Sequence, residues 1–192
     1  MNKIIIRLLD ILFSIVILVV ASPIIIFASL MVAFTMGTPI IFNQQRLGYK
    51  NENFKFYKFR SMISDPNLTD EQRITSFGKF IRKASIDELP QIYNVLKGDM
   101  SLAGPRPLLP EYKDHFTTEQ IRRHNVKPGI TGWAQVKGRN TLSWEDKFKL
   151  DVYYVDNYSV KLYLNILYKT IFVVLFSKDF SLSGEAKRFD EK

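Results

Sequence analysis

The chain has 192 residues, of which 46% are hydrophobic, and a formal net charge of +8. This length suffices for one compact domain with a membrane segment, and no internal repeat or low-complexity tract indicates more. The sequence contains no cysteine, which excludes disulfide bonds, thiolate catalysis and cysteine-ligated metal sites. The excess positive charge fits anionic partners such as lipid headgroups, nucleotide diphosphates or nucleic acid, but charge alone does not choose among them.

An apolar segment occupies residues 11–34, and no charged residue lies between Asp10 and Arg46. A helix over this segment would extend about 36 Å, which is enough to cross a hydrocarbon core of about 30 Å. A cleaved signal peptide is a competing interpretation, but the apolar run continues well past the candidate cleavage site. We therefore predict a membrane-inserted helix within residues 1–38.

The residues that flank and interrupt this segment bear on how it lies in the membrane. Positive residues stand on both sides of it, so both ends favour the cytoplasm: Lys3, Arg7, Arg46, Lys50, Lys55, Lys58 and Arg60. Ser22-Pro23 lies near its middle, where proline removes a backbone hydrogen bond and serine can satisfy the freed carbonyl. A re-entrant helix, which enters and leaves the membrane on one face, fits these features. An ordinary span with a proline kink also fits, and the residues alone leave both open.

Two short strands are predicted after the membrane segment, at 39–43 and 54–60, joined through Gly48 as a β-hairpin. The second strand interleaves aromatic residues with cations, a pattern that can stack nucleic-acid bases. The chain has no recognisable RNA-binding motif, so a strand packed on the core is the preferred interpretation. A polar loop at 64–72, with a weak capping pattern at Thr69, leads into the next helix.

The stretch 84–108 carries the strongest chemical signal, because it places the adjacent carboxylates Asp87 and Glu88 beside a predicted helix start. Free backbone N–H groups and the helix dipole make such an end a site for phosphate. Acidic residues are also common there as caps, so the pair alone does not indicate catalysis. Arg106 favours a functional interpretation of the carboxylates over a capping one. It stands between two prolines, whose fixed φ angles provide a rigid mount for a group that binds phosphate or carboxylate in two places.

The start of the helix beside these carboxylates has two interpretations, and in both the helix ends at Lys97. If Ser85 is the N-cap, Ser85 and Glu88 form a Ser-x-x-Glu capping box. If Leu89 is the N-cap, Pro90 occupies the first turn, where proline is tolerated. In either case the carboxylates lie at the positive end of the helix.

The segment after the central stretch contains a predicted helix and a predicted loop. Thr117 or Thr118 caps the helix. Residues 128–140 contain three glycines and no clear period, which indicates a loop whose backbone approaches another group closely. Trp133 and Arg139 in this loop could meet a nucleotide, although a buried tryptophan and a surface arginine are commoner fates.

The C-terminal part of the chain contains an amphipathic pattern at 161–171, with lysine or asparagine every four residues. This segment is too short and too striped to span a membrane. It either lies in the membrane interface or packs on the domain core.

Several motifs occur in an order that resembles the small monotopic phosphoglycosyl transferases of bacterial glycan assembly, of the bacillosamine-phosphate transferase type. They comprise the apolar N-terminal segment with Ser22-Pro23, YKFRSM, SIDELPQ, NVLKGDMSLAGPRPL, KPGITGWAQVKGRN and KFKLDVYY. No single motif is conclusive, but their shared order is highly specific and covers nearly the whole chain.

The predicted fold combines this resemblance with the patterns above. It is α+β and mainly helical, with an N-terminal re-entrant membrane helix, a small β-hairpin and a compact cytosolic domain with interfacial amphipathic helices. We predict a membrane-inserted segment at 1–38, a catalytic domain at 39–180 and a loosely ordered tail at 181–192. The resemblance implies that the domain lies on the cytoplasmic face of the inner membrane.

The resemblance also implies an activity: transfer of a sugar 1-phosphate from a UDP-sugar to polyprenyl (undecaprenyl) phosphate with release of UMP, as the first membrane step of glycan assembly. Asp87 is the predicted nucleophile, through an aspartyl phosphosugar intermediate. Glu88, together with Asp87, is the predicted ligand of Mg²⁺. The predicted phosphate- and substrate-binding residues, including one acidic residue that supports the site, are Lys58, Arg60, Arg82, Arg106, Arg139 and Asp151.

A second hypothesis from another class is a non-catalytic basic adaptor, tethered to the membrane, that binds anionic lipid or RNA. It explains the charge and the anchor. It leaves Asp87 and Glu88 unexplained, because acidic groups in a polyanion site repel the ligand unless a metal intervenes. We therefore expect UDP-sugar, polyprenyl phosphate and membrane lipid as partners, and no nucleic acid. The sequence determines neither the sugar nor the oligomeric state.

Overall fold

The computed structural model describes residues 1–138 and 141–176, and within them the chain is mainly helical with two small two-stranded sheets. The helices are α1 Asn2–Met36, α2 Asp70–Arg73, α3 Ser76–Lys83, α4 Gln91–Lys97, α5 Trp133–Lys137, α6 Trp144–Asp156 and α7 Val160–Phe176. The strands are β1 Ile41–Leu47, β2 Asn53–Phe59, β3 Ser101–Ala103 and β4 Gly129–Thr131. Short 3-10 helices cover Tyr49–Asn51, Ile86–Glu88, Pro110–His115 and Gln120–Asn125. The predicted α+β, mainly helical class is confirmed, whereas the predicted tail at 181–192 lies outside the described residues.

Helix α1 is continuous over 35 residues and contains Pro23 in its interior. Proline has no N–H to offer the carbonyl of Val19, and the Ser22 hydroxyl donates a hydrogen bond to that carbonyl at 2.8 Å. Serine therefore satisfies the carbonyl that proline frees, as predicted. Among the described residues, α1 is the one helix that is long and apolar enough to cross a membrane, with a mean hydropathy of 3.0 over its most apolar 18-residue window.

Both ends of α1 contact the rest of the chain. Near its start, Ile6 is buried, and the side-chain amide of Asn2 donates to the carbonyl of Tyr158 at 3.2 Å. Near its end, Val32 and Met36 are buried in a cluster that also contains core residues of the domain. Between these contacts most apolar side chains of α1 are exposed. The two ends of the apolar helix thus pack against one domain.

The predicted hairpin is present, with β1 and β2 antiparallel in a register that pairs Ile41 with Phe59 and Leu47 with Asn53. The first strand lies further along the chain than predicted, at 41–47 instead of 39–43. The capping pattern predicted at Thr69 forms, since its hydroxyl accepts a hydrogen bond from the Gln72 backbone and its own N–H bonds the Gln72 side chain.

Of the two helix starts that the sequence left open, the capping box at Ser85 is wrong, and the N-cap is Pro90 rather than Leu89. Ser85 adopts a left-handed conformation with φ of 55°, and its side chain caps no helix. Pro90 precedes the first residue of α4 as its N-cap, and α4 ends at Lys97 as predicted. The carboxylates therefore lie just before the α-helix, in the 3-10 turn Ile86–Glu88.

Of the two candidate caps in the next region, Thr117 is the one that accepts the hydrogen bond, from the Gln120 backbone.

The loop predicted at 128–140 is wrong in part, because it contains β4 and α5. Strand β4 runs parallel to β3 and pairs Gly129 with Ser101. The close backbone approach that the glycines predicted is present: a Cβ on Gly129 would lie 2.1 Å from the backbone nitrogen of Gly104. Both elements are too short for a periodic pattern to reveal them.

The hydrophobic core consists of two main clusters, and α1 contributes to both. The larger cluster joins Ile6 to buried residues of α4, β3, α6 and α7, which include Val95, Leu102, Tyr154, Tyr163 and Ile166. The smaller cluster joins Ala28, Val32 and Met36 to Phe59 and Ile81. One face of α7 therefore packs on the core, while Tyr168 and Ile171 on the same helix are exposed.

Helix α3 approaches the end of the hairpin unusually closely at Gly78. A Cβ at this position would lie 2.0 Å from the carbonyl oxygen of Ser61. This approach brings Arg82, one turn further along α3, to the Ser61 hydroxyl, with a distance of 2.7 Å between Nε and Oγ. Because Gly78 has no side chain, α3 can lie this close to Ser61.

We predict that Gly78→Ala destabilises the fold by about 2 kcal/mol or more, because the added methyl group meets backbone that cannot rotate away. The thermal unfolding midpoint of the purified protein in detergent measures this. Lys79→Ala, at the exposed neighbouring position of the same helix, is the control and should leave the midpoint unchanged. Equal midpoints for Gly78→Ala and the wild type would contradict the prediction.

Candidate active site

Asp87 and Glu88 differ in how they meet solvent, although they are neighbours in one 3-10 turn. Asp87 is 8% exposed. The Glu88 side chain is 22% exposed, and its Oε1 accepts a hydrogen bond from Arg106 Nη2 at 2.7 Å. One carboxylate is therefore enclosed, while its neighbour lies at the surface of the domain.

Four cations from separate parts of the chain surround this pair. Lys58 lies on β2 and Arg82 on α3, while Arg106 follows β3. All three interact electrostatically with Asp87. Arg46 on β1 interacts with both Glu88 and Arg106. The structure therefore brings together three of the predicted phosphate-binding residues, Lys58, Arg82 and Arg106, around the predicted catalytic pair.

The environment of Asp87 makes its carboxyl less acidic than usual. Burial and the neighbouring Glu88 raise its pKa to about 6, while Lys58, Arg82 and Arg106 oppose the rise. Burial also lowers the pKa of Lys58, an effect that Asp87 offsets. At neutral pH most Asp87 carboxyls are ionised, yet poorly solvated. A carboxylate in this state has the properties of a nucleophile.

Arg106 is presented to solvent from a buried backbone. Its side chain is 52% exposed, whereas the prolines on both sides of it are buried. Its backbone carbonyl accepts a hydrogen bond from Arg123 Nη2 at 2.7 Å, and the same nitrogen contacts Asp151 at 2.7 Å. Asp151 therefore lies in a buried ion pair that holds the backbone of Arg106. The role in supporting the site that the resemblance implied for Asp151 stays a prediction.

Arg60 is not brought to the carboxylate pair. Its guanidinium donates to the carbonyls of Gly37 and Pro39 and to the Ser64 hydroxyl, so it fastens the connection between α1 and β1. These backbone contacts account for its burial. Arg139 lies outside the described residues.

Trp133 packs away from the carboxylate pair. Its ring stacks on Tyr153 with 6.2 Å between centroids, and Lys137 lies over it.

Two cations that contribute to the site, Arg46 and Arg123, were not among the predicted site residues. In the observed register Arg46 lies directly opposite Phe54, and directly opposite residues of an antiparallel hairpin share a face. Lys58 is four residues after Phe54 on the same strand, so Arg46 and Lys58 lie on the same face of the hairpin. The alternation of the strands around Gly48 was a signal that could have identified Arg46. Arg123 gave no such signal, because its role depends on Asp151, 28 residues away.

The donor set of the site fits a hard divalent cation. Mg²⁺ is usually bound by one or two carboxylates, and phosphate oxygens of the substrate and water complete its shell. Asp87 and Glu88 supply that number. Among residues 1–138 and 141–176 there is no cluster of three or more His, Cys, Asp or Glu residues that would form an all-protein site. The pair therefore fits a metal that arrives with a phosphorylated substrate.

Comparison with known proteins shows the family of the chain. The profile of the family described as bacterial sugar transferase matches residues 1–177. An uncharacterized sugar transferase, EpsL of Bacillus subtilis, is 50% identical over 190 residues, which cover 95% of this chain and 94% of that protein.

Two larger relatives carry more specific names. The undecaprenyl-phosphate galactose phosphotransferase of Salmonella typhimurium is 40% identical over 191 residues, covering 88% of this chain and 40% of that protein. The UDP-N-acetylgalactosamine-undecaprenyl-phosphate N-acetylgalactosaminephosphotransferase of Aeromonas hydrophila is 40% identical over 180 residues, covering 87% and 43%. The chain thus spans less than half the length of these two relatives. These findings confirm the resemblance of the sequence motifs, and the chain belongs to the bacterial sugar transferase family of phosphoglycosyl transferases.

Proposed function

We propose that the chain transfers a sugar 1-phosphate from a UDP-sugar to undecaprenyl phosphate and releases UMP, as the first membrane step of glycan assembly. The observation that carries this proposal is the enclosed Asp87 beside the surface-facing Glu88, with cations from four separate parts of the chain around them. Family membership and the names of the two larger relatives support the substrate classes. The names of these two relatives specify different sugars, although both relatives are 40% identical to this chain. The proposal therefore does not specify the sugar.

In the first step of the proposed mechanism, a carboxylate oxygen of Asp87 attacks the β-phosphorus of the UDP-sugar. The bond between this phosphorus and the oxygen that bridges to the α-phosphate breaks, and that oxygen leaves with UMP. The product is an acyl phosphate in which Asp87 carries the sugar phosphate. Enclosure of Asp87 favours the attack, because little hydration has to be removed from the carboxylate.

In the second step, a phosphate oxygen of undecaprenyl phosphate attacks the same phosphorus. The bond to the Asp87 oxygen breaks, which restores the carboxylate and gives the lipid diphosphate sugar. Two displacements at one phosphorus need a fixed set of positive groups around its oxygens. We propose that Lys58, Arg82 and Arg106, which interact electrostatically with Asp87, supply that charge in both steps. We add Arg46 to the phosphate-binding residues that we proposed from the sequence.

Glu88, with Asp87 nearby, is the proposed ligand of Mg²⁺. When bound there, the metal would neutralise diphosphate charge and complete its shell with phosphate oxygens. Arg106 bonds Glu88 at 2.7 Å and its side chain is 52% exposed, so it is accessible to an anionic substrate. The planar guanidinium can bind a phosphate in two places, which lysine cannot do.

We further propose that α1 is a re-entrant anchor in the inner membrane and that the domain lies on the cytoplasmic face. Two observations support this arrangement: both ends of α1 pack on the same domain, and cations flank both ends. Exposed apolar residues of α7, such as Tyr168 and Ile171, would rest in the membrane interface. A non-catalytic adaptor that binds anionic lipid or RNA is the less favoured hypothesis, because it requires neither an enclosed carboxylate nor a second carboxylate beside it.

The covalent step can be tested by withholding the lipid. The full-length protein with Mg²⁺ and a panel of UDP-sugars should release at most one UMP per enzyme, and Asp87 should gain one sugar phosphate. Quantified UMP and mass spectrometry of the peptide that carries Asp87 measure this. Asp87→Asn should abolish both signals, whereas Glu88→Gln or EDTA should slow the reaction without moving the adduct.

Asp114→Asn is the matched control, because it neutralises an exposed carboxylate elsewhere on the domain. UMP release that requires both substrates, with no adduct, would replace the covalent mechanism with direct attack by the lipid phosphate. An adduct on Glu88 would exchange the two roles. No UMP from any sugar in the panel, even with lipid present, would refute the transferase proposal.

The pKa of Asp87, about 6, predicts a pH dependence of activity. The carboxyl must be ionised to attack, so kcat/KM for the UDP-sugar should fall about tenfold per pH unit below pH 6 and level off above pH 7. Steady-state UMP release between pH 5 and 8 measures this, since kcat/KM reports groups of the free enzyme. A flat profile down to pH 5 would contradict it.

The same pKa predicts that Asp87 destabilises the fold at neutral pH. In the unfolded chain Asp87 loses its proton near its ordinary pKa of 3.8, whereas in the folded protein it keeps the proton up to a pH of about 6. The free energy of unfolding therefore decreases as the pH rises through this window. The cost at pH 7 is about 3 kcal/mol. Asp87→Asn should therefore be inactive but should unfold at a higher temperature than the wild type at pH 7, with the advantage largely lost near pH 4. An equal advantage at both pH values would contradict this assignment.

The re-entrant arrangement predicts that Asn2 and Lys50 face the cytoplasm together. Because the chain has no cysteine, Asn2→Cys and Lys50→Cys each give a single labelling site. Membrane-impermeant maleimide should label both in inverted vesicles and neither in intact cells stripped of the outer membrane. Lys97→Cys, on the domain, is the control for the cytoplasmic side. Labelling of Asn2→Cys only from the outer face would show an ordinary span.

A further inference from the structure

Two charged residues on the first turns of α1 face the domain, and the mechanism above uses neither of them. Arg7 and Asp10 are three residues apart and therefore lie on one side of the helix. Arg7 is partly buried and Asp10 is 1% exposed. Charged groups in such positions persist when specific partners hold them. Their partners connect to the two halves of the active site.

Arg7 bonds the end of α4. Its guanidinium donates to the carbonyls of Val95 and Leu96, the latter at 2.7 Å. These carbonyls belong to the last turn of α4, where that of Val95 also accepts a hydrogen bond from the Gly98 N–H at 3.1 Å. A cation at this end also interacts favourably with the helix dipole. Arg7 therefore fixes the C-terminal end of α4 from outside.

Helix α4 and the carboxylate pair form one hydrogen-bonded unit. The N–H of Leu89 bonds the carbonyl of Ile86, and the N–H of Ile92 bonds the carbonyl of Leu89. The 3-10 turn with Asp87 and Glu88 thus continues into α4. A shift at the end that Arg7 holds moves the carboxylates as well.

Asp10 bonds the element that leads to Arg106. Its Oδ1 accepts hydrogen bonds from the Leu102 N–H at 2.8 Å, the Ser101 hydroxyl at 2.9 Å and the Tyr163 hydroxyl at 2.8 Å. Ser101 and Leu102 belong to β3, which ends at Ala103, three residues before Arg106. Asp10 therefore fixes the strand from which the arginine is presented.

We propose that Arg7 and Asp10 are positioning residues, through which the first turns of α1 set the distance between the carboxylate pair and Arg106. This inference rests on the proposed function of that site. Arg7 holds the half with Asp87 and Glu88, and Asp10 holds the half with Arg106. One rigid helix carries both attachments, so it acts as a frame that keeps the two halves in register.

Turnover of the full-length enzyme in detergent tests this. Arg7→Met should lower kcat for UMP release by on the order of ten- to a hundredfold, since a misplacement of about 1 Å costs that much. KM for the UDP-sugar should change by less than about threefold, because the phosphate-binding groups are still present. Arg7→Lys should recover part of the loss. Lys3→Met removes the same charge from an exposed position one turn earlier on α1 and should behave as the wild type.

A double-mutant cycle separates positioning from general destabilisation. In the Arg106→Lys background, Arg7→Met should reduce kcat much less than it does in the wild type, because the alignment of the carboxylate pair with Arg106, which Arg7 maintains, is already impaired. The two effects would multiply if Arg7 acted only on stability. Multiplying effects, or an unchanged kcat in Arg7→Met, would overturn the proposal.

Hydrogen exchange without substrate gives a readout that does not depend on the reaction. Arg7→Met should increase exchange at residues 86–97, and Asp10→Asn should increase it at 101–104, while Lys3→Met changes neither. If Arg7→Met does not fold, Asp10→Asn decides by the same criteria. If the wild type shows no turnover, the proposed function fails, and exchange alone then decides whether α1 holds the two segments. Unchanged exchange in both variants would overturn the inference.

Discussion

The enclosure of a carboxylate next to a second carboxylate is the constraint on which the rest of the structure depends. Asp87 is taken out of water beside Glu88, and both its burial and the neighbouring charge of Glu88 make its ionisation more costly. Cations from β1, β2, α3 and the segment after β3 offset that cost. The cations also repel one another: burial and Arg106 lower the pKa of Arg46 to about 10. The carboxylates and the cations offset one another only when the elements that carry them pack together.

Local rules predicted the parts of this arrangement that depend on neighbours in sequence. The bond from Ser22 to the carbonyl freed by Pro23, the hairpin around Gly48 and the mounting of Arg106 between prolines each follow from a few adjacent residues. Residue types also suggested the chemistry of Asp87 and Glu88. What residue types did not reveal is which basic side chains reach the carboxylates. Arg60 has the same donor groups as Arg82, but it donates hydrogen bonds to carbonyls of the connection after α1.

The remaining differences between prediction and structure come from tertiary contacts. Ser85 matches a capping box in sequence, yet the return of the chain from α3 toward α4 places it in a left-handed conformation. The segment at 128–140 lacked a period because β4 is only three residues long and gains its place by pairing with β3. Arg123 bonds the carbonyl of Arg106 only because Asp151, on α6, holds it there. No single stretch of sequence contains such relations.

The contribution of α1 to both hydrophobic clusters has a consequence for proteolysis. A cut after Met36 would remove Ile6 from one cluster and Val32 from the other, leaving the apolar residues that faced them open to water. We therefore expect a cut near the end of this helix to destabilise the part of the chain that carries the carboxylates, rather than to release it as a folded fragment.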